Sequence, residues 1–307
     1  MSPVGSRRAT CYAANIIANP TLTVAGRTVD ATTIDADLLR SLHEVDEVEA
    51  NVSTGYHAIE FLLWGQDLNG TGPGAGQRPA SDFMAGAGCT GGNCDRRRAY
   101  LMAATDLLIA DLEDIVAAWG SDGEAVAALK EQSATGQVAV MLTGMGSLSY
   151  GELAGERMQL GLMLHDPEEE HDCFSDNTHN SHYDDARGIH NIYHGRYQRI
   201  DGSVVEGASL AGLVNAAMAD LDAEMKTALD ATAAAMQKMK DTADSGAMAY
   251  DQMLGENNPE GNALVSDVVE ALKAQTRVIE RVAVALGVES LELEGSDSLD
   301  NPGAVFQ

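Results

Sequence analysis

The sequence predicts an all-α protein, and three observations support this prediction. Aromatic residues make up only 5% of the 307 residues, whereas the helix formers alanine, leucine and methionine are abundant. Apolar side chains recur at helical spacing in several segments, most clearly over residues 96–119. No segment alternates apolar and polar residues over a length that would suggest a sheet. We therefore expect two antiparallel helical bundles packed together, with long irregular loops between helices.

The expected domain organisation follows the distribution of polar residues along the chain. Residues 1–165 are predicted to form a first helical bundle, and residues 166–290 a second bundle that opens with a histidine-rich segment. Residues 291–307 are expected to form an acidic, partly loose tail, and residues 1–30 to be irregular. Three further helices are predicted in the second bundle, at residues 206–232, 233–254 and 260–287.

The net charge of −28 restricts the classes of partner. Nucleic acids and anionic membrane surfaces would be repelled, so neither is an expected partner. The charge is compatible with the attraction of cations, although a solvated acidic surface accounts for most of it. No run of 18 apolar residues occurs, so no transmembrane span is expected.

The segment Gly55–Asp67 combines an ionisable pair with apolar neighbours. His57 and Glu60 stand three residues apart, a spacing that places both side chains on one face of a helix. Because the surrounding residues are apolar nearly all round, a buried helix is predicted. Two interpretations stay open: a structural His–Glu pair that satisfies itself, or half of a metal site with one nitrogen and one oxygen ligand. The zinc-protease motif His-Glu-x-x-His is absent, since Phe61 occupies the fourth position after His57.

These thirteen residues resemble the Gly-x-His-x-x-Glu motif of the imelysin family and the Phe-Leu-Leu-Trp-Gly-Gln-Asp sequence that follows it. The resemblance covers most of residues 20–290. It implies a fold of two helical bundles related by duplication, with the motif near their interface. It also implies a bacterial cell-envelope protein, since many members are iron-regulated envelope proteins and some have been classed as metallopeptidases.

Residues 165–197 form a second polar constellation, which contains six of the eight histidines. Imidazole, carboxylate and thiol groups together suit iron, zinc or copper, although any single histidine here is expected to be solvated or to bridge helices. The sequence Glu-Glu-His-x-Cys-Phe-Ser-Asp-Asn-Thr-His is similar to a segment in the iron-regulated branch of the imelysin family. Besides the metal candidates His57 and Glu60, the candidate pocket or ligand residues are Glu152, Glu156, Arg157, Glu170, His171, Asp176, His179, Asp185 and His190.

A helix punctuated by six glycines is expected at residues 124–164. Small residues at such spacings allow another backbone to approach closely, which suits a helix packed centrally between others. Glu152, Glu156 and Arg157 interrupt its apolar sequence. Their two interpretations are an ion pair that bridges two helices and the lining of a pocket that holds His57.

Four cysteines permit three full pairings, and the sequence leaves the pairing open. Cys89 and Cys94 lie in a glycine-rich loop where a short disulfide ring closes easily, so this pair is favoured. Such a bond supports an oxidising compartment. A metal-binding knuckle is the alternative, but no second Cys-x-x-Cys accompanies it.

The chain contains no signal peptide, because no continuous apolar run follows the basic residues Arg7 and Arg8. At face value this predicts a cytoplasmic protein. Imelysin-like proteins are usually exported, however, and carry a further helical segment before the region that matches. We therefore expect a location in the periplasm or cell envelope, and a natural N-terminus that this sequence lacks.

Three functions are compatible with these features. The first is an exported binding protein with a metal-linked site, which acts in iron uptake or homeostasis. Its cofactor is expected to be iron or another divalent metal, and its partners a metal ion or small ligand and an envelope iron-uptake protein. The second is a cell-envelope metallopeptidase, for which the sequence supplies half of a motif and no identifiable general base. The third is an interaction protein in which the His57–Glu60 pair is purely structural.

Overall fold

The computed structural model describes residues 16–24, 26–45, 48, 51–166 and 169–306. The protein is 63% helical, and the strands in the described ranges form two short two-stranded sheets. This confirms the all-α class. The chain divides into two compact units, of which unit 1 is Met1–Leu68 with Ala75–Val126 and unit 2 is Asn69–Gly74 with Ala127–Gln307. The grouping of the helices into two bundles with a boundary at residue 165 stays a prediction.

The described residues of unit 1 include a short helical segment at residues 16–18, an antiparallel hairpin and three longer helices. The hairpin consists of β1 (Thr21–Val24) and β2 (Arg27–Asp30). The helices are α1 (Ala36–Leu42), α2 (Gly55–Trp64) and α3 (Cys94–Ala118), and short 3₁₀ turns occur at Ala80–Phe83 and Gly86–Gly88. Helix α3 confirms the prediction for residues 96–119. The hairpin corrects the expectation of irregular structure before residue 30, because strands of four residues are too short for their alternation to be recognised; residues 1–15 lie outside the described residues.

An apolar core holds the three helices of unit 1 together. Helix α1 contributes Leu39 and Leu42, α2 contributes Leu62, and α3 contributes Tyr100 and Ala104. Each of these side chains is at most 1% exposed. Burial of a large apolar side chain stabilises the fold by about 1.5–3 kcal/mol, so this core fixes α2 against α3.

Two hydrogen bonds inside this core fix the segment that leads into α2. The Tyr100 hydroxyl donates to the carbonyl oxygen of Ser53 over 2.8 Å. The Ser53 hydroxyl donates to the carbonyl oxygen of Leu39 over 2.7 Å. Because Ser53 is fully buried, these bonds satisfy groups that water cannot reach.

Arg96, on the first turn of α3, joins the hairpin of unit 1 to the helices. Its guanidinium group donates to five backbone carbonyl oxygens over 2.6–3.2 Å, those of Ile16, Ile17, Asn19, Ala31 and Thr32. Only arginine offers so many donors from one planar group. The side chain therefore ties both ends of the β1–β2 segment to α3.

Beyond α3 the chain is mostly helical. The strands β3 (Arg196–Gln198) and β4 (Val204–Glu206) form an antiparallel hairpin that the sequence did not predict. The helices are α4 (Glu124–Glu131), α5 (Ala134–Ser147), α6 (Leu160–Leu164), α7 (Thr178–His194), α8 (Leu210–Ala217), α9 (Ala219–Asp244), α10 (Tyr250–Leu254), α11 (Pro259–Ala285) and α12 (Asp297–Asp300).

A long helical rod runs from α5 to α6. Between them Leu148–Gln159 winds as a π-helix, and the backbone is right-handed helical at both junctions. The rod agrees with the helix predicted at residues 124–164, apart from a break before α5. There Ser133 is extended, and its hydroxyl oxygen caps α5 by accepting from the Gly136 amide over 3.0 Å. Long π-helices are rare, and most occur as single turns near functional sites.

The helix boundary predicted between residues 232 and 233 is wrong. Helix α9 is continuous through this point, because its alanine-rich sequence contains no glycine or proline that would end it. The chain breaks instead at Met218, whose extended backbone separates α8 from α9. No glycine or proline marks this position in the sequence.

The acidic tail packs against the glycine face of the rod, so the expectation of a partly loose tail is wrong for residues 293–300. A Cβ atom added to Gly151 would lie 2.5 Å from the carbonyl oxygen of Glu294. The Ser298 hydroxyl donates to the carbonyl oxygen of Gly155 over 2.9 Å, and the Tyr150 hydroxyl donates to Asp300 Oδ1 over 2.7 Å. The glycines thus allow close approach, as predicted, and the segment that approaches is the tail.

We expect Gly151→Ala to destabilise unit 2 by about 1–3 kcal/mol, because the new methyl group overlaps a backbone carbonyl of the tail. The matched control is Gly144→Ala on the same rod, where a Cβ atom would meet no atom within 4 Å. That change is expected to stabilise the helix by about 0.5–1 kcal/mol. Urea unfolding followed by circular dichroism measures both. Equal effects of the two substitutions would contradict the packing of the tail.

Candidate metal centre

Helix α2 holds His57 and Glu60 in contact. His57 Nδ1 lies 3.0 Å from Glu60 Oε2, and the side chains are 37% and 9% exposed, respectively. An ionised carboxylate can only accept a hydrogen bond, so the imidazole donates from Nδ1. The two side chains therefore lie in contact on one face of the helix, as their separation of three residues predicted.

The burial of α2 is less complete than the sequence predicted. Ala58 and Leu62 are fully buried on the face that packs in unit 1. Tyr56, Leu63 and Trp64, in contrast, are 64%, 42% and 38% exposed. A helix that is apolar all round need not be enclosed all round, because hydropathy does not state how many neighbours the fold provides.

The C-terminal end of α2 is fixed by Arg78. The Arg78 amide donates to the carbonyl oxygen of Trp64 over 2.9 Å, and its guanidinium group donates to the carbonyl oxygen of Phe61 over 3.4 Å. The guanidinium carbon also lies 5.5 Å from the centroid of the Phe61 ring. A cation at this end interacts favourably with the negative end of the helix dipole. Burial lowers the pKa of Arg78, and Arg97 lowers it further while Asp82 opposes the shift.

His57 and Glu60 offer one nitrogen and one oxygen ligand from the same helix. Imidazole and carboxylate groups together suit iron, zinc or manganese. Two donors do not complete a coordination shell, so a metal ion held here would need further ligands.

The backbone of Asp172, next to the candidate residue His171, is fixed within unit 2. In the structure the Asp172 amide donates to the Thr178 hydroxyl oxygen over 2.9 Å, and the Asn177 amide donates to the Asp172 carbonyl oxygen over 3.3 Å. Thr178, fully buried at the start of α7, thus fixes the backbone of Asp172.

The three charged candidates on the π-helix have separate roles. Arg157 bridges two elements, since its Nη1 lies 2.9 Å from Asp185 Oδ2 on α7 and its Nε lies 3.5 Å from Glu152 Oε2. This arrangement matches the ion-pair interpretation. Burial raises the pKa of Asp185, and Arg157 opposes that shift. Glu156 is exposed.

The remaining candidates lie at several places in unit 2. Asp176 Oδ2 accepts from the Gly74 amide over 3.0 Å, and His179 Nε2 lies 2.9 Å from Asp244 Oδ1. Glu170 and His179 are both buried, at 6% and 8% exposure. The ring of His190 stacks on that of His194 at a centroid distance of 4.1 Å. The roles of these residues as pocket or ligand residues stay a prediction.

A buried histidine that the sequence interpretation did not select is His182. It is fully buried, and neither ring nitrogen has a hydrogen-bond partner among the described residues. Its ring lies edge-on to that of Tyr250 at 5.3 Å and 6.2 Å from that of His171. Burial lowers the pKa of His182 well below its ordinary value, and the charges of His171, Arg157 and His179 lower it further. Burial likewise raises the pKa of Tyr250, so both side chains are neutral near pH 7.

A disulfide bond joins Cys89 and Cys94, the pair that the sequence favoured. Cys94 is the first residue of α3, so the bond links that helix to the loop before it. Cys11 lies outside the described residues. No helix among the described residues is long and apolar enough to cross a membrane.

The helical fold and the pair of His57 and Glu60 define a helical protein with a candidate metal site. The imelysin (peptidase M75) family model matches residues 11–279. Since this match covers most of the chain, the protein belongs to the imelysin family, as the motif at residues 55–67 indicated. The comparison with curated proteins finds no match.

We expect the stability of the protein to fall faster below pH 6.5 than that of a His182→Phe variant. The pKa of His182 is lower in the folded than in the unfolded state, so protons bind the unfolded chain preferentially as the pH falls. The difference changes by up to about 1.4 kcal/mol per pH unit. Urea midpoints at pH 7, 6 and 5 measure it. A difference that stays constant over this range would contradict the burial of a neutral imidazole.

Proposed function

We propose that this protein is an exported binding protein of the cell envelope that holds a divalent metal ion through His57 and Glu60, together with further ligands, and acts in iron uptake or homeostasis. The observation that carries the proposal is the pairing of His57 and Glu60 on one helix, with Nδ1 and Oε2 3.0 Å apart. Glu60 is only 9% exposed, and a carboxylate removed from water needs a cation or hydrogen-bond donors to compensate for its lost hydration.

An incomplete set of protein ligands suits an exchangeable ion. Structural zinc sites usually close the coordination shell with four protein ligands, whereas sites with fewer protein ligands leave a position for water or another ligand. The net charge of −28 adds a long-range attraction for cations, which raises their concentration near the surface. A metal held in this way is accessible to delivery and release, as uptake or homeostasis requires.

Two features support the proposed location in the periplasm or cell envelope. Members of the family to which the chain belongs resemble it in the motif at residues 55–67 and are usually exported. The bond between Cys89 and Cys94 is of the kind that persists in oxidising compartments. An envelope iron-uptake protein is the proposed partner. Fractionation of cells that express the natural gene tests the location, which recovery from the cytoplasm alone would contradict.

Metal binding is expected to depend on both ligands of the pair. Isothermal titration calorimetry of metal-free protein with Fe²⁺ under anaerobic conditions, and with Zn²⁺, should show one saturable site. His57→Ala and Glu60→Gln should each weaken binding by about tenfold or more, because each removes a ligand contact. Elemental analysis of the dialysed complexes gives the stoichiometry.

The matched control is Glu256→Gln, which removes one negative charge from an exposed side chain. It should leave the affinity unchanged within about twofold, as expected for a screened surface charge. The proposal fails if the wild type shows no saturable binding. It also fails if His57→Ala lowers the melting temperature but leaves metal affinity unchanged, since the pair would then be purely structural.

A metallopeptidase is the second candidate, because His57 and Glu60 are of the ligand types found in catalytic zinc sites, which keep one position open for water. In such a site the metal would activate a bound water, and a general base would still be needed. We expect no chelator-sensitive cleavage of casein by the zinc-loaded or iron-loaded protein. Cleavage that chelation and Glu60→Gln both abolish would establish the peptidase instead.

A further inference from the structure

A cleft in unit 2 differs in charge from the rest of the molecule. It has a volume of about 240 Å³ and lies between α7, β3 and α9. Its polar lining consists of Tyr183, Arg187, His190, Asn191, Arg196 and Gln198. No Asp or Glu is among the described residues that line it, although the chain contains 47 acidic and 19 basic residues. The cleft is thus rich in hydrogen-bond donors within a strongly acidic protein.

We infer that this cleft binds a small organic anion with two or more carboxylate groups. Arg187 and Arg196 enter it from different elements, α7 and β3. Guanidinium groups bind carboxylates through paired, charge-assisted hydrogen bonds. Two arginines on different elements therefore suit two carboxylates of one ligand better than a single charge.

The existing partners of the two arginines are weak competitors for such a ligand. Arg187 Nη1 lies 3.6 Å from Asp184 Oδ1, and Arg196 Nε lies 3.7 Å from Glu206 Oε2. Both carboxylates are about two-thirds exposed or more, and exposed ion pairs of this kind contribute little to stability. A ligand carboxylate can therefore replace them at little cost.

Neutral groups complete the recognition of an organic anion. The amides of Asn191 and Gln198 donate hydrogen bonds without adding charge. Burial and the neighbouring His194 lower the pKa of His190, while Asp230 opposes that shift, so the imidazole is neutral near pH 7. The buried side chains of Ala186 and Met236 form an apolar floor. That floor suits the carbon chain of an organic anion, which an inorganic phosphate lacks.

The size and surroundings of the cleft narrow the ligand class. Its volume is below the range of about 300–1,000 Å³ that is typical for drug-sized ligands, so a short di- or tricarboxylate is the right size. A neighbouring hollow of about 540 Å³ shares Arg187, Asn191 and Gln198, but Asp184 lines it as well. Repulsion from this carboxylate favours the smaller cleft for an anion.

Isothermal titration calorimetry of the metal-free full-length chain tests the inference, with succinate and citrate as probes at an ionic strength of about 0.15 M. Inorganic phosphate and the neutral diamide succinamide are titrated in the same way as comparison ligands. We expect saturable binding of succinate or citrate and none of succinamide. Arg187→Gln and Arg196→Gln should each weaken binding by about tenfold or more. Circular dichroism checks that each variant is folded.

The matched control is Arg281→Gln, which removes an exposed arginine that pairs with Glu224 on a different surface of unit 2. It should bind the carboxylates as the wild type does. The inference is overturned if neither carboxylate binds, or if the three arginine variants weaken binding equally, which would indicate nonspecific charge attraction. Arginine-dependent binding of phosphate without binding of either carboxylate would likewise overturn the assignment of an organic anion.

Discussion

The pairing of a nearly buried carboxylate with an imidazole is the constraint on which α2 depends. Glu60 is 9% exposed, and His57 Nδ1 lies 3.0 Å from it. A charge withdrawn from water is tolerated only where its partners are held in place. Both ends of α2 are held in place by hydrogen bonds. Before the helix, Ser53 accepts from the Tyr100 hydroxyl and donates to the carbonyl oxygen of Leu39. At the last turn, the Arg78 guanidinium group donates to the carbonyl oxygen of Phe61. The contacts that hold this helix therefore also hold its ionisable pair in position.

Unit 2 meets the same requirement through pairs between helices. Arg157 on the π-helix pairs with Asp185 on α7, and the Asp244 carboxylate on α9 accepts a hydrogen bond from the His179 ring. His182 shows the other solution, in which an ionisable ring stays neutral because burial lowers its pKa. The unit thus accommodates these ionisable side chains either by pairing them between elements or by keeping them uncharged.

The net charge of the whole chain does not predict the charge at an individual site of this protein. The total of −28 explains an attraction for cations, yet a cleft lined by Arg187 and Arg196 lacks any described carboxylate. Interactions between exposed charges are screened over about 8–10 Å in physiological salt. A site therefore responds to the charges that line it, and one acidic molecule can offer separate places for a metal ion and for an organic anion.

The sequence by itself determined what depends on local spacing. It predicted α3 and the helical rod from their periodicity, the contact between His57 and Glu60 from a separation of three residues, and the bond between Cys89 and Cys94 from a short glycine-rich loop. These features follow from the geometry of one helix or one loop, which a few consecutive residues fix.

Tertiary structure alone decided which distant groups meet. The tail gave no sign that it would pack against Gly151, and Arg187 and Arg196 meet at one cleft only because a hairpin follows α7. Such encounters depend on how helices pack, and packing is set by the combined shape of many side chains rather than by any local pattern. For the same reason Trp64 is partly exposed although its neighbours in the sequence are apolar.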